Sequence, residues 1–436
     1  RNNLRPYRKA SSKGFRGPFK CFYVWQTLPC IYGACFVFMF YQSIVRLHEN
    51  DPLDGLPSSD GHPHDKPFVP KPRNVQGEED PSLMIDFLLQ LARLPTTELR
   101  RRLYDEDIFQ LKLLESSKEC PTQMTLSHSP PPIWFPSDQY SKRKKSLVLN
   151  STNHHLLWYE HLSKAGGTSF CKLAQINFKP QQVPPYYCMP RDGALPDGRV
   201  GLWSNGKLKL YLQQNPLIRI VSNEWQPFPP ERWTMRDDLY LATTLRDPLD
   251  RLLSAYHFWG ILHNPDTNNK PTFSEWLERK RKRSELKSPR DMDHAIHIGR
   301  YNFMVWKFSN GTMPQGRKKN TSDGSSIPPK GISRQEENLW IQPFTTAIQT
   351  LSRFDLVLIL ELMSNHSSSR ILKKSLGWTK LEKNHVVPSG KVENNHARES
   401  LSKDLYDQLW EANRFDMILY YWMKAVHLLQ VLCSED

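Results

Sequence analysis

The chain of 436 residues has room for one large domain with additional segments. Its formal net charge of +14 points to anionic partners, whether nucleic acid, phospholipid or acidic glycan. No C-x-x-C pair and no His/Cys ligand spacing is present, which argues against a structural zinc site.

Arg1, Arg5, Arg8, Lys9, Lys13, Arg16 and Lys20 precede a mostly apolar and aromatic stretch over residues 21–45. Glu49, Asp51 and Asp54 come only after it. About 20 apolar residues cross a bilayer as a helix, and the positively charged flank stays cytosolic. The pattern predicts a basic cytosolic tail over residues 1–20, a single-pass anchor over residues 21–45 and a lumenal remainder. Gln26 and Pro29 place the start of the apolar core near Leu28. The small-x-small cleavage pattern of a signal peptide does not follow it. The N-x-[ST] sequons at Asn150, Asn310, Asn320 and Asn365 fit a lumenal, glycosylated chain. Anchor and sequons together speak against nucleic acid as the anionic partner. Cys120, Cys171, Cys188 and Cys433 would then be lumenal; they allow three pairings, and spacing does not choose among them.

Residues 46–145 read as a stem. Asp51-Pro52, Pro67, Pro70 and Pro72 interrupt regular structure. Asp80-Pro81 then opens a helix with Met84, Phe87, Leu88 and Leu91 on one face, and Pro95 ends it. A second amphipathic helix is predicted over residues 97–114. This helical pair either packs on the following domain or mediates a homodimer. Ser129-Pro130-Pro131-Pro132 and Lys142-Arg143-Lys144-Lys145 form a last linker. From residue 146 to 436, strands predicted at 217–221, 239–245 and 354–360 alternate with helical stretches. That alternation argues for an α/β domain with a mostly parallel sheet. Residues 309–333 read as an exposed insertion.

Two stretches carry chemistry. Leu156-Leu157-Trp158-Tyr159-Glu160 reads as a buried strand and runs into His161-Leu162-Ser163-Lys164-Ala165-Gly166-Gly167-Thr168-Ser169-Phe170. Phe170, Leu173 and Ala174 recur at helical spacing, with Thr168 or Ser169 placed to cap the helix. A strand, paired glycines and a helix N-terminus make an anion site, to which Lys164 adds charge. The same features also make an ordinary strand-to-helix turn. The lysine precedes both glycines, so this is not a Walker loop, and G-x-G-x-x-G is absent. The second stretch is Leu245-Arg246-Asp247-Pro248-Leu249-Asp250-Arg251-Leu252-Leu253-Ser254-Ala255-Tyr256. Asp247-Pro248 starts a helix after a strand, with Leu249, Leu252, Leu253 and Tyr256 on its buried face and Arg251 and Ser254 on the opposite one. An arginine fork and a hydroxyl there suit a phosphate monoester. A surface arginine paired with Asp247 or Asp250 is the plainer alternative.

Ser163-Lys164-Ala165-Gly166-Gly167-Thr168-Ser169 resembles the 5'-phosphosulfate loop of Golgi-type carbohydrate sulfotransferases, P-K-x-G-G/S-T-[ST], with serine in place of proline at Ser163. Residues 246–256 resemble the 3'-phosphate motif of the same family, R-D-P-x-x-R-x-x-S-x-[YW], at every fixed position. Arg300-Tyr301-Asn302-Phe303 is similar to the family's D-N-Y/F-x-x-R helix, with Trp306 and Lys307 near the expected arginine. Phe354-Asp355 with Glu361, Leu376-Gly377-Trp378, and Asn413, Asp416 and Tyr420 are similar to further family stretches. The resemblance covers residues 150–432 and extends to heparan sulfate and galactose sulfotransferases. It implies a P-loop-like sulfotransferase fold: a central, mostly parallel sheet flanked by helices, preceded by a transmembrane helix and a helical stem. It also implies a single-pass type II Golgi membrane glycoprotein with a lumenal catalytic domain. The activity it implies is transfer of a sulfuryl group from 3'-phosphoadenosine 5'-phosphosulfate (PAPS) to a glycan or proteoglycan hydroxyl, without a metal. Ser163, Lys164, Ala165, Gly166, Gly167, Thr168, Ser169, Arg246, Arg251 and Ser254 would bind the donor.

The acceptor hydroxyl needs a base. Glu224, just past a strand end in Val221-Ser222-Asn223-Glu224-Trp225, is the candidate, with His257 and His263 as rivals. His161 reads as a strand-end hydrogen-bonding residue. Arg279-Lys280-Arg281-Lys282-Arg283, with Lys287 and Arg290, is either a solvated helix face or a guide for an anionic glycan. A catalytically silent lumenal glycan-binding protein on the same fold is the alternative function.

Overall fold

The computed structural model describes residues 81–117, 156–191, 195, 198–263, 269–285, 297–312, 334–363, 366–381 and 401–432. The chain divides into two units, Arg1–Asn74 and Val75–Asp436, and every described residue belongs to the second. The expected tail and anchor, the linker at 129–145, Cys120, Cys433 and the sequons at Asn150, Asn320 and Asn365 lie outside the described residues. Among the described residues no helix is long and apolar enough to cross a membrane.

Four strands, β1 (Leu156–Glu160), β2 (Ile220–Asn223), β3 (Leu239–Leu245) and β4 (Leu356–Ile359), form one sheet in the order β2-β1-β3-β4. All neighbours are parallel. Every strand residue is buried, as a parallel sheet covered on both faces requires. Side chains alternate between two cores. Leu157, Tyr159, Ile220, Tyr240, Ala242, Leu356 and Leu358 pack with Phe170, Leu173, Ile371 and Trp378 on one face. Leu156, Trp158, Val221, Leu239, Leu241, Val357 and Ile359 pack on the other with Trp306, Ile348 and Tyr420. The first face is covered by α4 (Gly167–Asn177) and α10 (His366–Leu376). The second is covered by α8 (Phe303–Phe308), α9 (Arg334–Leu351) and α12 (Arg414–Leu432), the last buried almost throughout. Further helices among the described residues are α5 (Asn205–Gln214), α6 (Pro248–Tyr256), α7 (Phe273–Glu285) and α11 (Lys403–Ala412). The α/β class and the parallel sheet expected from the sequence are present.

The N-terminal helical pair packs on this domain. α1 (Pro81–Ala92) buries Met84, Leu88 and Leu91 in the same core as α12. The single helix expected over residues 97–114 is broken. α2 (Thr96–Arg100) runs into a π-helical turn at Arg101–Asp105, and α3 (Leu111–Ser116) starts anew. Asp107 and Gln110 adopt φ of 48° and 54°. The Asp107 carboxylate accepts from the N–H groups of Leu111 (2.7 Å) and Lys112 (2.8 Å). A capping carboxylate thus competes with helix continuation, while Phe109 turns into the core. Arg100 pairs with Asp407 and Glu115 with Lys424, tying the pair to α11 and α12.

Residues from the family-like stretches hold the frame. Asp416 accepts from the N–H groups of Met304 (2.8 Å) and Val305 (2.9 Å), supplying the acceptors that the start of α8 lacks. Burial raises its carboxyl to about 7 against those hydrogen bonds. Asp355 pairs with Arg236 and accepts from Leu241 N–H at 2.7 Å. Glu361 accepts from Asp247 N–H (2.9 Å) and Tyr420 O–H (3.0 Å), linking β4, α6 and α12. Trp378 packs against Phe170 of α4. The basic run occupies the C-terminal half of α7, where Lys282 pairs with Glu278 and Lys280 lies 5.9 Å from the Trp259 ring centre; Lys287 and Arg290 lie outside the described residues.

Candidate active site

Parallel strands deliver the residues that follow them to one edge of a sheet. In the order β2-β1-β3-β4 the connections leave β1 in opposite directions, which opens a crevice at the β1/β3 switch point. The Lys164 loop follows β1 and Arg246 follows β3, so both stretches singled out in the sequence meet there. Arg246 Nη1 donates to the Lys164 carbonyl oxygen at 3.1 Å.

The loop is built for close approach to its backbone. Lys164 and Gly166 adopt φ of 67° and 85°. Gly166, not Thr168 or Ser169, is the N-cap residue of α4, and no side chain caps the helix. The capping role expected of those hydroxyls is therefore corrected: Thr168 and Ser169 sit half-buried inside the first turn. The reason is Gly166, whose left-handed backbone makes the turn itself. A Cβ at Gly167 would overlap the His161 ring, and one at Gly166 would meet Leu360 Cδ1 at 2.5 Å. Only glycine fits either place. Ser163 and Ala165 are buried beneath. The result is an uncapped helix N-terminus behind a turn of left-handed residues, a site that favours an anion.

Lys164 Nζ rests 3.8 Å from the centre of the Phe258 ring. Burial holds its ammonium down at about 8; Glu224 acts to raise it and Arg246 to lower it. Asp247 caps α6 by accepting from the N–H groups of Leu249 (2.9 Å) and Asp250 (3.2 Å). Ser254 is half-buried in the next turn.

Arg251 departs from its expected place on the open face of α6. It is 1 % exposed, stacks 4.4 Å over Phe303 and donates through Nη1 to Ile298 O at 3.2 Å. Its Nε and Nη2 are buried without a hydrogen-bond partner among the described residues. Burial lowers it to about 10, with Asp416 raising and Arg246 lowering it. A buried guanidinium with two unsatisfied N–H directions beside Arg246 suits an incoming anion.

Glu224 stands one residue past β2. Glu160 pairs with Asn223 in the register of β1 and β2, so His161 and Glu224 follow side by side. His161 Nδ1 lies 3.4 Å from Glu224 Oε2. Burial pushes the imidazole below its usual value, against the pull of Glu224, and so keeps it neutral. His161 is thus the histidine beside Glu224. His257 follows α6, and exposed His263 packs against Phe258 at a tilt of 48°, with ring centres 4.2 Å apart.

The turn that carries Glu224 is held from below by Lys307, which the sequence marked only as standing near a family arginine. Lys307 is fully buried and pairs with Glu160 at 2.7 Å. Its Nζ also donates to the carbonyls of Asn223 (2.9 Å), Glu224 (3.1 Å) and Gln226 (2.5 Å). Glu160 in turn accepts from Trp158 Nε1 and Asn223 Nδ2, each at 2.8 Å. Burial pushes Glu160 up and Lys307 down, and each is the other's largest counterweight. Lys307→Met would leave Glu160 buried and unpaired. The expected result is a loss of about 3–5 kcal/mol in denaturant unfolding, far more than a surface ion pair contributes.

Asn310 is exposed. Cys171 of α4 is disulfide-bonded to Cys188, the pairing that spacing left open. Among the described residues no group of three or more His, Cys, Asp or Glu is placed to hold a metal ion. In comparisons with known proteins, the chain matches no family model, no curated protein and no solved structure.

Proposed function

We infer that the protein is a sulfotransferase that moves a sulfuryl group from PAPS to the hydroxyl of a glycan. The observation that carries this reading is the meeting, at one switch point, of two anion sites and a carboxylate–histidine pair. A donor with phosphates at its 5' and 3' ends needs two anion sites. The uncapped start of α4 with Lys164 suits the 5' end. Arg246, the unpartnered nitrogens of Arg251 and the Ser254 hydroxyl suit the 3' end. In the transfer, the acceptor oxygen bonds to sulfur as the bond between sulfur and the 5'-phosphate oxygen breaks. The hydroxyl proton passes to Glu224, and the electron pair of the broken bond stays on the phosphate oxygen. Lys164 and the loop N–H groups stabilise that charge. His161 stands beside the Glu224 carboxylate, its Nδ1 3.4 Å from Oε2. The products are a sulfate ester and adenosine 3',5'-bisphosphate. The basic tail, the apolar stretch at 21–45 and the sequons favour a type II Golgi protein with this domain in the lumen.

Calorimetric titration with adenosine 3',5'-bisphosphate tests the reading. Arg246→Ala and Ser254→Ala are expected to weaken its binding much more than that of adenosine 5'-phosphate, because only the bisphosphate has a group for them to hold. Equal losses for the two nucleotides would remove the 3'-phosphate assignment. Absence of binding by the unaltered protein would remove the donor.

A further inference from the structure

Beside the Lys164 loop, Thr168, Lys172 and Gln175 on α4 face Tyr186 and Tyr187 across a groove of about 320 Å³. The turn carrying the tyrosines is tied down on several sides. Cys188 is bonded to Cys171 of α4. Met189 N–H donates to Tyr186 O at 2.7 Å, and Ser222 N–H of β2 donates to Cys188 O at 2.8 Å. Tyr187 and Cys188 are both left-handed, with φ of 49° and 62°. Tyr187 is nonetheless 45 % exposed, and its ring stands at 87° to that of Tyr186, with centres 5.0 Å apart. Two consecutive non-glycine residues in this region cost free energy, and an exposed ring recovers little of it by packing. Such an outlier points to a role outside the fold.

Topology narrows that role. The turn lies along the outer edge of β2, the strand that Glu224 follows. Arg246, Arg251 and Ser254 lie beyond β3, on the other side of β1. A nucleotide reaching from the Lys164 loop to those residues runs away from β2. The β2 side, with Glu224 and the groove, is left for the acceptor. Among the described residues, the groove offers two phenol rings, one ammonium, one aliphatic hydroxyl and one amide, and no carboxylate. A pyranose has the matching chemistry: an apolar C–H face that packs on the negative face of an aromatic ring, and a rim of hydroxyls for hydrogen bonds. The volume is at the small end for ligand sites, suited to a sugar ring rather than a whole nucleotide. We propose that the Tyr186–Tyr187 groove is an acceptor subsite that holds a pyranose ring of the glycan beside Glu224. Its assignment to the acceptor rests on the transferase reading above.

Saturation-transfer NMR on the full-length chain tests it, with methyl β-D-galactopyranoside and methyl β-D-glucuronopyranoside as probes. Saturating the aromatic protons is expected to mark the ring C–H protons of at least one sugar. Tyr187→Ala should reduce that signal about 3- to 10-fold, the effect of losing one aromatic contact, while Tyr187→Phe retains it. Saturating adenosine 3',5'-bisphosphate should leave the signal in place. No transfer to either sugar, or a signal indifferent to Tyr187→Ala, overturns the subsite. Weaker bisphosphate binding by Tyr187→Ala also overturns it, because the groove would then hold adenine. A Tyr187-dependent sugar signal in a protein that binds no bisphosphate keeps the groove as a sugar site and overturns the transferase reading instead.

Discussion

Lys164→Ala is expected to lower turnover about 10²–10³-fold, the usual result of removing one preorganised group from a developing negative charge. The ammonium sits against Phe258 at the mouth of an uncapped helix, where the proposed transfer would leave charge on the phosphate oxygen. Lys164 Nζ rests against the Phe258 ring at the loop and not in the core of the sheet, so circular dichroism and the thermal midpoint should change little. A radiolabelled-donor transfer assay reads the effect; near-normal turnover in the folded variant would take Lys164 out of the mechanism. The same lysine sets a pH limit. Burial brings its ammonium down to about 8, so in the unliganded protein the charged form prevails well below that pH and is lost as pH rises through it. The kcat/KM profile, which reports the free enzyme, should therefore fall on its alkaline side near pH 8.

Glu224→Gln is expected to lower turnover about 10²–10⁴-fold, the usual contribution of a general base, with affinity for adenosine 3',5'-bisphosphate nearly unchanged. Glutamine keeps the size and the reach toward His161 but cannot take the acceptor's proton. The backbone of the turn stays in place because Lys307 holds it through main-chain carbonyls, which the substitution does not touch. Undiminished turnover would reject Glu224 as the base, and His161→Ala would then show whether the neighbouring imidazole has that role. Loss of nucleotide binding in Glu224→Gln would instead make the carboxylate part of the cleft wall.

Part of the site is legible in the sequence because its signals are local. Lys164, Gly166 and Gly167 lie within four consecutive residues. The Asp247-Pro248 helix start is likewise read from neighbours, and Asp247 caps as expected. The proximity of His161 and Glu224 is not legible there. It depends on Glu160 pairing with Asn223, 63 residues away. Hydrophobic runs buried on both faces carry no alternation from which to read a register. Arg251 escapes its expected place for a related reason: helical spacing gives it a face, but the residues around Ile298 and Phe303 cover that face.

The sequence by itself determined an α/β chain with two glycine- or arginine-bearing stretches, each at the end of a strand and the start of a helix. Backbone conformation and capping depend on a few adjacent side chains, so they survive a reading of one segment at a time. Only the tertiary structure decided the order β2-β1-β3-β4 and, with it, which strand ends share a cleft. It also decided that Lys307 is buried under the Glu224 turn and that Cys171 bonds to Cys188. A lysine in a sequence reads as solvated, because a buried one needs compensating partners. Here the partners come from β1 and the turn after β2, distant segments that meet lysine only once the sheet has formed.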